Sequence, residues 1–170
     1  MVEERSQLVE GVEALAAEAC IELLAAYGVT LTPMPPVWDQ SPDDSVLFGV
    51  MGFVGDQLRA TCLLGMNQAL LEAIHPRGAR LRDWLGELSN QLVGRLKMKL
   101  TARGLRVALT TPLALSGVRL TPLPRAGVGP MVFSSSQGPV LVWLETESEP
   151  GVKLAPERPS DHAPGELLLF

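Results

Sequence analysis

A glutamate and an asparagine three residues apart, Glu87 and Asn90, are the side chains best placed to do chemistry. They lie in the longest helical pattern of the sequence, residues 80–104, and a helix makes side chains three apart neighbours on one face. A carboxylate is a charged hydrogen-bond acceptor, and a neutral amide offers a donor and an acceptor together. Exposed side by side, the two groups could contact a charged partner and orient a water molecule.

The helical pattern separates an apolar side from a narrow polar stripe. At about 100° per residue, Asp83, Glu87, Asn90 and Gly94 form a polar stripe roughly 160° from the apolar side. That side consists of Leu81, Trp84, Leu85, Leu88, Leu92 and Leu96. Asparagine is a mediocre helix former, and glycine inside a helix costs about 1 kcal/mol relative to alanine. Such a local inconsistency often marks function, although an ordinary solvent face is the alternative interpretation of the polar stripe.

Two further helices are predicted to precede this one. Apolar residues that recur at three and four predict a long N-terminal helix, which Ser6 caps and Gly28 ends. Asn67 is a good N-cap for a short helix over residues 68–74. The long helix with the polar stripe closes at Gly104, a favoured residue after a helix end.

The remaining apolar runs are predicted to be strands. They cover residues 29–31, 45–54, 57–65, 105–109, 113–115, 131–135 and 140–145. Residues 105–109 and 113–115 are predicted to be either one strand interrupted at Pro112 or two strands. Prolines beginning at Pro33 are expected to stop the first of them. Strands clustered in hairpins, with helices between the clusters, predict an α+β, two-layer fold with a mainly antiparallel sheet. Both long helices carry one apolar face and are expected to pack on that sheet.

The C-terminal part of the chain changes in composition. Residues 1–145 are predicted to form a single domain, in which residues 121–130 are a loop rich in proline and glycine. Residues 146–170 are rich in Pro, Glu and Asp and are predicted to be an acidic, proline-rich tail. The last five residues, 166–170, are apolar enough to dock on the domain.

Composition narrows the function classes. The chain has 170 residues, 46% hydrophobic and 19% charged, enough to build a core. A net charge of −5 without a basic cluster argues against nucleic acid as a partner. The charged N-terminus and the lack of an 18-residue apolar stretch predict a cytoplasmic protein that has no membrane partner. Cys20 and Cys62 are expected to be buried free thiols, and no metal site is expected around His75 or His162.

The segment ELSNQLVG resembles the CheC/CheX family of chemotaxis phosphatases. Its signature is close to E-L-x-N-x-[IV]-x-G, which Glu87, Leu88, Asn90 and Gly94 match, with Leu92 where Ile or Val is usual. A glycine and a strand with a proline and a later glycine, TTPLALSG, follow in the family order. Because CheC-type members carry the motif twice and this chain carries it once, the resemblance is to the CheX type.

The resemblance implies hydrolysis of the aspartyl phosphate on a CheY-like receiver domain of a response regulator, in chemotaxis or motility signalling. Asn90 would orient the attacking water, and Glu87 would pair with the lysine beside the phosphoaspartate. Asp83 would add an electrostatic contact. Gly94 would give clearance to the partner, unless it allows another element to pack closely instead. The chain would need no cofactor of its own, because Mg²⁺ belongs to the partner, and it would form a homodimer.

Two other functions stay open. A non-catalytic module of the same fold would dock a receiver domain or a motility component without speeding hydrolysis. An unrelated α+β protein that binds a small ligand would show E-x-x-N by chance and would need a closed apolar pocket elsewhere. The first two functions require Glu87 and Asn90 to point outward together, whereas burial of the polar stripe would remove the active face.

Overall fold

The computed structural model describes residues 7–37, 46–116, 120 and 122–157. Within them, three helices accompany one seven-stranded sheet. The elements are α1 (Gln7–Ala25), β1 (Thr32–Met34), β2 (Val46–Val54), β3 (Leu58–Asn67), α2 (Gln68–Ala73), α3 (Leu81–Ala102), β4 (Ala108–Leu109), β5 (Leu113–Leu115), β6 (Met131–Ser135) and β7 (Gly138–Ser148). The predicted α+β class is confirmed.

The sheet is antiparallel throughout its described pairs. Its strand order is β1-β6-β7-β3-β2-β4, and β5 also pairs with β2. β2 and β3 form a long hairpin with register from Val46↔Asn67 to Val54↔Arg59. β5 pairs with the middle of β2, where Val50 lies opposite Leu113. The predicted hairpins and the mainly antiparallel sheet are therefore confirmed.

Both long helices bury their apolar sides in one shared core with the sheet. Five of the six residues predicted for the apolar side of α3 are buried, and Leu81 is partly buried against the same core. Alternation along the strands sends Met51, Phe53 and Leu64 into this core. Because the apolar side of α3 faces the sheet, its polar stripe has to face away from it.

The first strand differs from its prediction. The prediction of a strand over residues 29–31 is wrong, because β1 spans Thr32–Met34 and includes Pro33. β1 lies at the edge of the described sheet, beside β6, and an edge strand tolerates proline because one side of its backbone makes no ladder bonds. Val29 and Leu31 are instead buried in the core without belonging to a strand.

The helix ends follow the predicted chemistry where the structure describes them. The Asn67 side chain accepts a hydrogen bond from the backbone N–H of Leu70 at 2.9 Å, so Asn67 is the predicted N-cap of α2. Gly104 has a φ of 85°, the left-handed conformation that ends many helices, directly after the last turn of α3. Ser6, the predicted cap of the first helix, lies outside the described residues.

The loop rich in proline and glycine lies over the outer face of the sheet, opposite the helices. Leu120 packs against a small apolar cluster that includes Phe48 and Trp143. Arg125 forms ion pairs with Glu145, at 2.6 Å, and with Glu147 on β7. These contacts hold Leu120, just before the loop, and Arg125, in the middle of the loop, against the sheet.

Strand β7 runs three residues past residue 145, where the domain is predicted to end. After it, the backbone N–H of Ala155 donates to the carbonyl of Arg103 at 2.9 Å. Leu154 packs against α1 so closely that a Cβ at Gly11 would lie 2.6 Å from its Cδ1. The division into a domain and a tail stays a prediction, and residues 158–170, with the apolar end at 166–170, lie outside the described residues.

Truncating Leu154 to alanine is expected to lower the free energy of unfolding by about 1–2 kcal/mol, because a partly buried leucine loses its contacts with the core. Denaturant unfolding measures the change. Leu123→Ala is the matched control, since Leu123 is 93% exposed and should be nearly neutral. Equal unfolding midpoints for both variants would show that the contact between Leu154 and α1 contributes nothing.

The two cysteines are buried free thiols, as predicted. Burial raises the pKa of Cys62 to about 12 and also raises the pKa of Cys20, so neither thiol ionises near neutral pH. Among the described helices, none is long and apolar enough to cross a membrane.

Candidate functional site

The missing side chain at Gly49 determines how closely α3 approaches the sheet. A Cβ at this position of β2 would lie 1.9 Å from Ser89 Oγ and 3.2 Å from the carbonyl oxygen of Leu85. Ser89 is buried, and its hydroxyl donates to the Leu85 carbonyl at 2.9 Å within α3. The helix therefore rests directly on the β2 backbone. This contact fixes the rotation of α3 about its axis and hence the direction of the polar stripe.

The polar stripe faces solvent, as the sequence predicts. Glu87 and Asn90 are exposed, and the side chain of Asp83 is 59% exposed one turn before Glu87. The guanidinium of Arg82 lies 3.7 Å from the Asp83 carboxylate, an exposed pair that adds little to stability. No hydrogen-bond partner of the Asn90 amide occurs among the described residues. Both polar ends of that amide are therefore available to a water or a partner.

Gly94 leaves open space on the exposed side of α3. Apart from its chain neighbours and the backbone of α3 itself, no described atom lies within 4 Å of the position that a Cβ would occupy there. Among the described residues, no element packs against Gly94, so the alternative in which this glycine admits a closely packed element gains no support from them. Gly86, four residues before Asn90, is equally open and was not predicted as part of the site. Because these two glycines carry no side chain, the helix backbone is accessible one turn before and one turn after Asn90.

An open depression of about 540 Å³ lies between α3 and β5. One wall is the polar stripe, and the other is an apolar edge formed by β5, where Leu113 is 57% exposed. The depression brings together three of the four predicted site residues, whereas Gly94 lies beyond its rim. Its lining consists of Arg82, Asp83, Gly86, Glu87, Asn90, Pro112, Leu113 and Ala114. Pro112, the proline of the TTPLALSG segment that carries part of the family resemblance, directly precedes β5.

Two residues that were not predicted as part of the site support Glu87. Gln91 binds Glu87 directly, and Tyr27 binds Gln91. The Nε2 of Gln91 donates to Glu87 Oε1 at 2.9 Å, and the Tyr27 hydroxyl donates to Gln91 Oε1 at 2.8 Å. The spacing of four residues between Glu87 and Gln91 is the sequence signal for the first contact. Tyr27 lies 64 residues from Gln91, so only the tertiary structure shows the second.

The described residues contain no group of three or more His, Cys, Asp or Glu side chains that could hold a metal ion. The polar stripe instead displays two carboxylates, from Asp83 and Glu87, beside the Asn90 amide. Carboxylates can pair with a cationic side chain of a partner, and the amide can hold a water through its donor and its acceptor. Because these groups are exposed, they can contact a charged group on the surface of another macromolecule.

No protein-family model and no curated protein sequence matches the chain. Its fold matches the chemotaxis protein CheX from Vibrio vulnificus, at 21% identity over 81% of this chain and 99% of that one, with a TM-score of 0.69. A CheC-like superfamily protein from Shewanella sp. PV-4 matches at 21% identity over 81% and 97%, with a TM-score of 0.68. A chain of the CheX-CheY-BeF3-Mg²⁺ complex from Borrelia burgdorferi matches at 13% identity over 85% and 100%, with a TM-score of 0.56. The chain therefore has the CheX/CheC fold.

Proposed function

We propose that the chain is a CheX-like phosphatase that accelerates hydrolysis of the aspartyl phosphate on a CheY-like receiver domain, in chemotaxis or motility signalling. The observation that carries this proposal is the joint exposure of Glu87 and Asn90 on α3, beside an open depression, in the E-x-x-N spacing. A structure of the same fold in which CheX occurs with CheY, BeF3 and Mg²⁺ supports a receiver domain as the partner.

Asn90 is assigned the placement of the attacking water. Phosphoryl transfer to water requires the nucleophile in line with the leaving oxygen, and the protein contributes positioning rather than covalent chemistry. An amide has no useful pKa and does not act as a general base, but it holds a water through one donor and one acceptor. Since the Asn90 amide has no hydrogen-bond partner among the described residues, both groups are available for that water.

Glu87 is assigned the contact that holds the complex together. Its carboxylate pairs with the lysine beside the phosphoaspartate, a charge-assisted hydrogen bond that is stronger than a neutral one. Asp83 adds a second negative charge one turn away, and the apolar edge at Leu113 offers a surface for the partner backbone. Mg²⁺ belongs to the acidic pocket of the receiver, so this chain needs no cofactor of its own.

A homodimer is part of the proposal because the family resemblance implies one. β1 offers main-chain groups at the edge of the described sheet, and an exposed edge of this kind pairs readily with another strand. The half-exposed Met34 on β1 adds apolar surface to that edge. Sedimentation equilibrium of the free protein distinguishes a dimer from a monomer.

The experiment that tests the function is phosphate release from a purified, phosphorylated CheY-like receiver with and without this protein. Acceleration at substoichiometric amounts of the protein is expected, because each molecule acts repeatedly. Binding of the phosphorylated receiver without acceleration would favour the non-catalytic module. Neither binding nor acceleration with any receiver of the same organism would rule out the phosphatase and a module that docks a receiver, and would leave docking of a motility component as the remaining function.

Replacing Glu87 with alanine is expected to weaken binding of a BeF3-activated receiver about 10- to 100-fold, the worth of a hydrogen bond between charged groups. Isothermal titration measures the affinity. Glu72→Ala is the matched control, because Glu72 is an exposed helical glutamate that also accepts from a glutamine four residues away, Gln68. A titration in which Glu87→Ala binds like the wild type would remove the role assigned to Glu87.

Replacing Gly94 with alanine is expected to have opposite effects on stability and on binding. Alanine is the better helix former, and its Cβ would meet no described atom within 4 Å outside the backbone of α3. The free energy of unfolding should therefore rise by about 0.5–1 kcal/mol. The added methyl group would stand where the partner approaches, so receiver affinity should fall several-fold. Thermal unfolding and titration of the same preparation measure both effects. Unchanged affinity would show that the partner does not approach Gly94.

A further inference from the structure

Two hydrogen bonds, from Gln91 to Glu87 and from Tyr27 to Gln91, link the Glu87 carboxylate on α3 to the turn that follows α1. Glu87 and Gln91 lie one turn apart on α3, whereas Tyr27 lies in the turn that follows α1. The ring of Tyr27 packs edge-to-face on Trp84, with ring centroids 5.3 Å apart and an angle of 88°. Trp84 is buried, so the tyrosine is held at its ring and at its hydroxyl.

Only one arrangement of donors and acceptors satisfies this series of contacts. An ionised carboxylate accepts hydrogen bonds and donates none, so the amide nitrogen of Gln91 has to face Glu87. The amide oxygen then faces Tyr27, whose hydroxyl has to donate. The contacts of 2.9 and 2.8 Å agree with that direction. Tyr27 therefore fixes the orientation of the Gln91 amide, and the amide in turn fixes Glu87.

These contacts occupy one oxygen of the Glu87 carboxylate and leave the other available to a partner. Gln91 binds Oε1, and Oε2 of Glu87 has no hydrogen-bond partner among the described residues. An exposed glutamate without such a support samples several rotamers and loses that freedom when a partner binds. With Oε1 held by Gln91, part of that ordering is already complete in the free protein.

We propose that Gln91 and Tyr27 are positioning residues that hold the Glu87 carboxylate ready for a lysine of the receiver domain. This inference rests on the proposed function, because it concerns how Glu87 meets that partner. Neither residue contacts the phosphoryl group, so both act on the affinity of the complex and not on the hydrolytic step. The packing of α1 against α3 thereby contributes to partner recognition.

The test uses Gln91→Leu, which keeps the size of the side chain and removes both hydrogen bonds, and Tyr27→Phe, which removes the hydroxyl alone. Each variant is expected to bind a BeF3-activated receiver about three- to tenfold more weakly, the equivalent of ordering one flexible side chain. The KM for the phosphorylated receiver should rise by the same factor while kcat stays unchanged. Gln68→Leu is the matched control, because it removes the same kind of Gln–Glu contact on α2, at 2.6 Å, and should leave binding unchanged.

A double-mutant cycle separates positioning from a general structural effect. In a Glu87→Ala background, Gln91→Leu should cause no further loss of affinity, since it no longer has a carboxylate to hold. Equal losses in both backgrounds would overturn the inference, as would wild-type affinity of Gln91→Leu and Tyr27→Phe while Glu87→Ala still weakens binding. Failure of the wild-type protein to bind any phosphorylated receiver would overturn both the inference and the proposed function.

Discussion

Replacement of Asn90 with alanine is expected to remove most of the phosphatase activity, by about 100-fold, while receiver binding stays nearly intact. The amide places the attacking water and makes few contacts with the partner itself, and misplacing a nucleophile by about 1 Å is enough for a loss of this size. Phosphate release at saturating protein measures the rate. Titration with a BeF3-activated receiver measures the affinity independently.

The matched control for this variant is Met98→Ala. Met98 is 70% exposed on the same helix and lies outside the residues that line the depression, so its truncation should leave both rate and affinity unchanged. A variant Asn90→Ala as active as the wild type would remove water placement from the proposal. A parallel loss of rate and affinity would show that Asn90 is a binding residue instead.

Replacement of Gly49 with alanine is expected to destabilise the fold by about 2–3 kcal/mol and to reduce activity as well. The added Cβ would lie 1.9 Å from Ser89 Oγ and 3.2 Å from the Leu85 carbonyl, so α3 has to move away from β2. Because α3 carries the polar stripe, a shift of the helix also misplaces Glu87 and Asn90. Denaturant unfolding and phosphate release on the same preparation measure both consequences.

Two further variants show whether the close contact between α3 and β2 is the cause. Gly52→Ala lies on the same strand, but its Cβ would meet no atom closer than 3.3 Å, so it should be destabilised much less. Adding Ser89→Ala to Gly49→Ala removes the nearest atom and should restore part of the stability, although the Cβ of residue 89 would still be 3.2 Å away. Full stability of Gly49→Ala alone would contradict the assigned contact.

Local patterns in the sequence were sufficient to predict the fold class and the exposed face of α3. Apolar residues at helical spacing identified α1 and α3 and the sides that they bury, and Asn67 identified the start of α2. The same periodicity indicated that Glu87 and Asn90 point outward, because they lie opposite the buried leucines. These features depend on residues close together in the chain, where spacing alone carries the information.

The features that depend on contacts between distant residues could not be predicted. Pro33 suggests the end of a strand until its place at a sheet edge is known, and the tolerance for proline there is a property of the sheet. The depression exists because β5 pairs with β2 beside α3, which no local pattern specifies. The contact of Tyr27 with Gln91 likewise depends on how two helices pack. Gly49 gave no local signal, because its role comes from Ser89 on the opposing helix.

The proposed function is tested most directly by the time course of phosphate release from a purified phosphorylated receiver, with wild-type protein and Asn90→Ala compared in parallel. We expect release to be accelerated by the wild-type protein and to proceed close to the uncatalysed rate with Asn90→Ala, although both bind the receiver. Wild-type protein that binds the phosphorylated receiver without changing its rate of phosphate loss would contradict the proposed phosphatase.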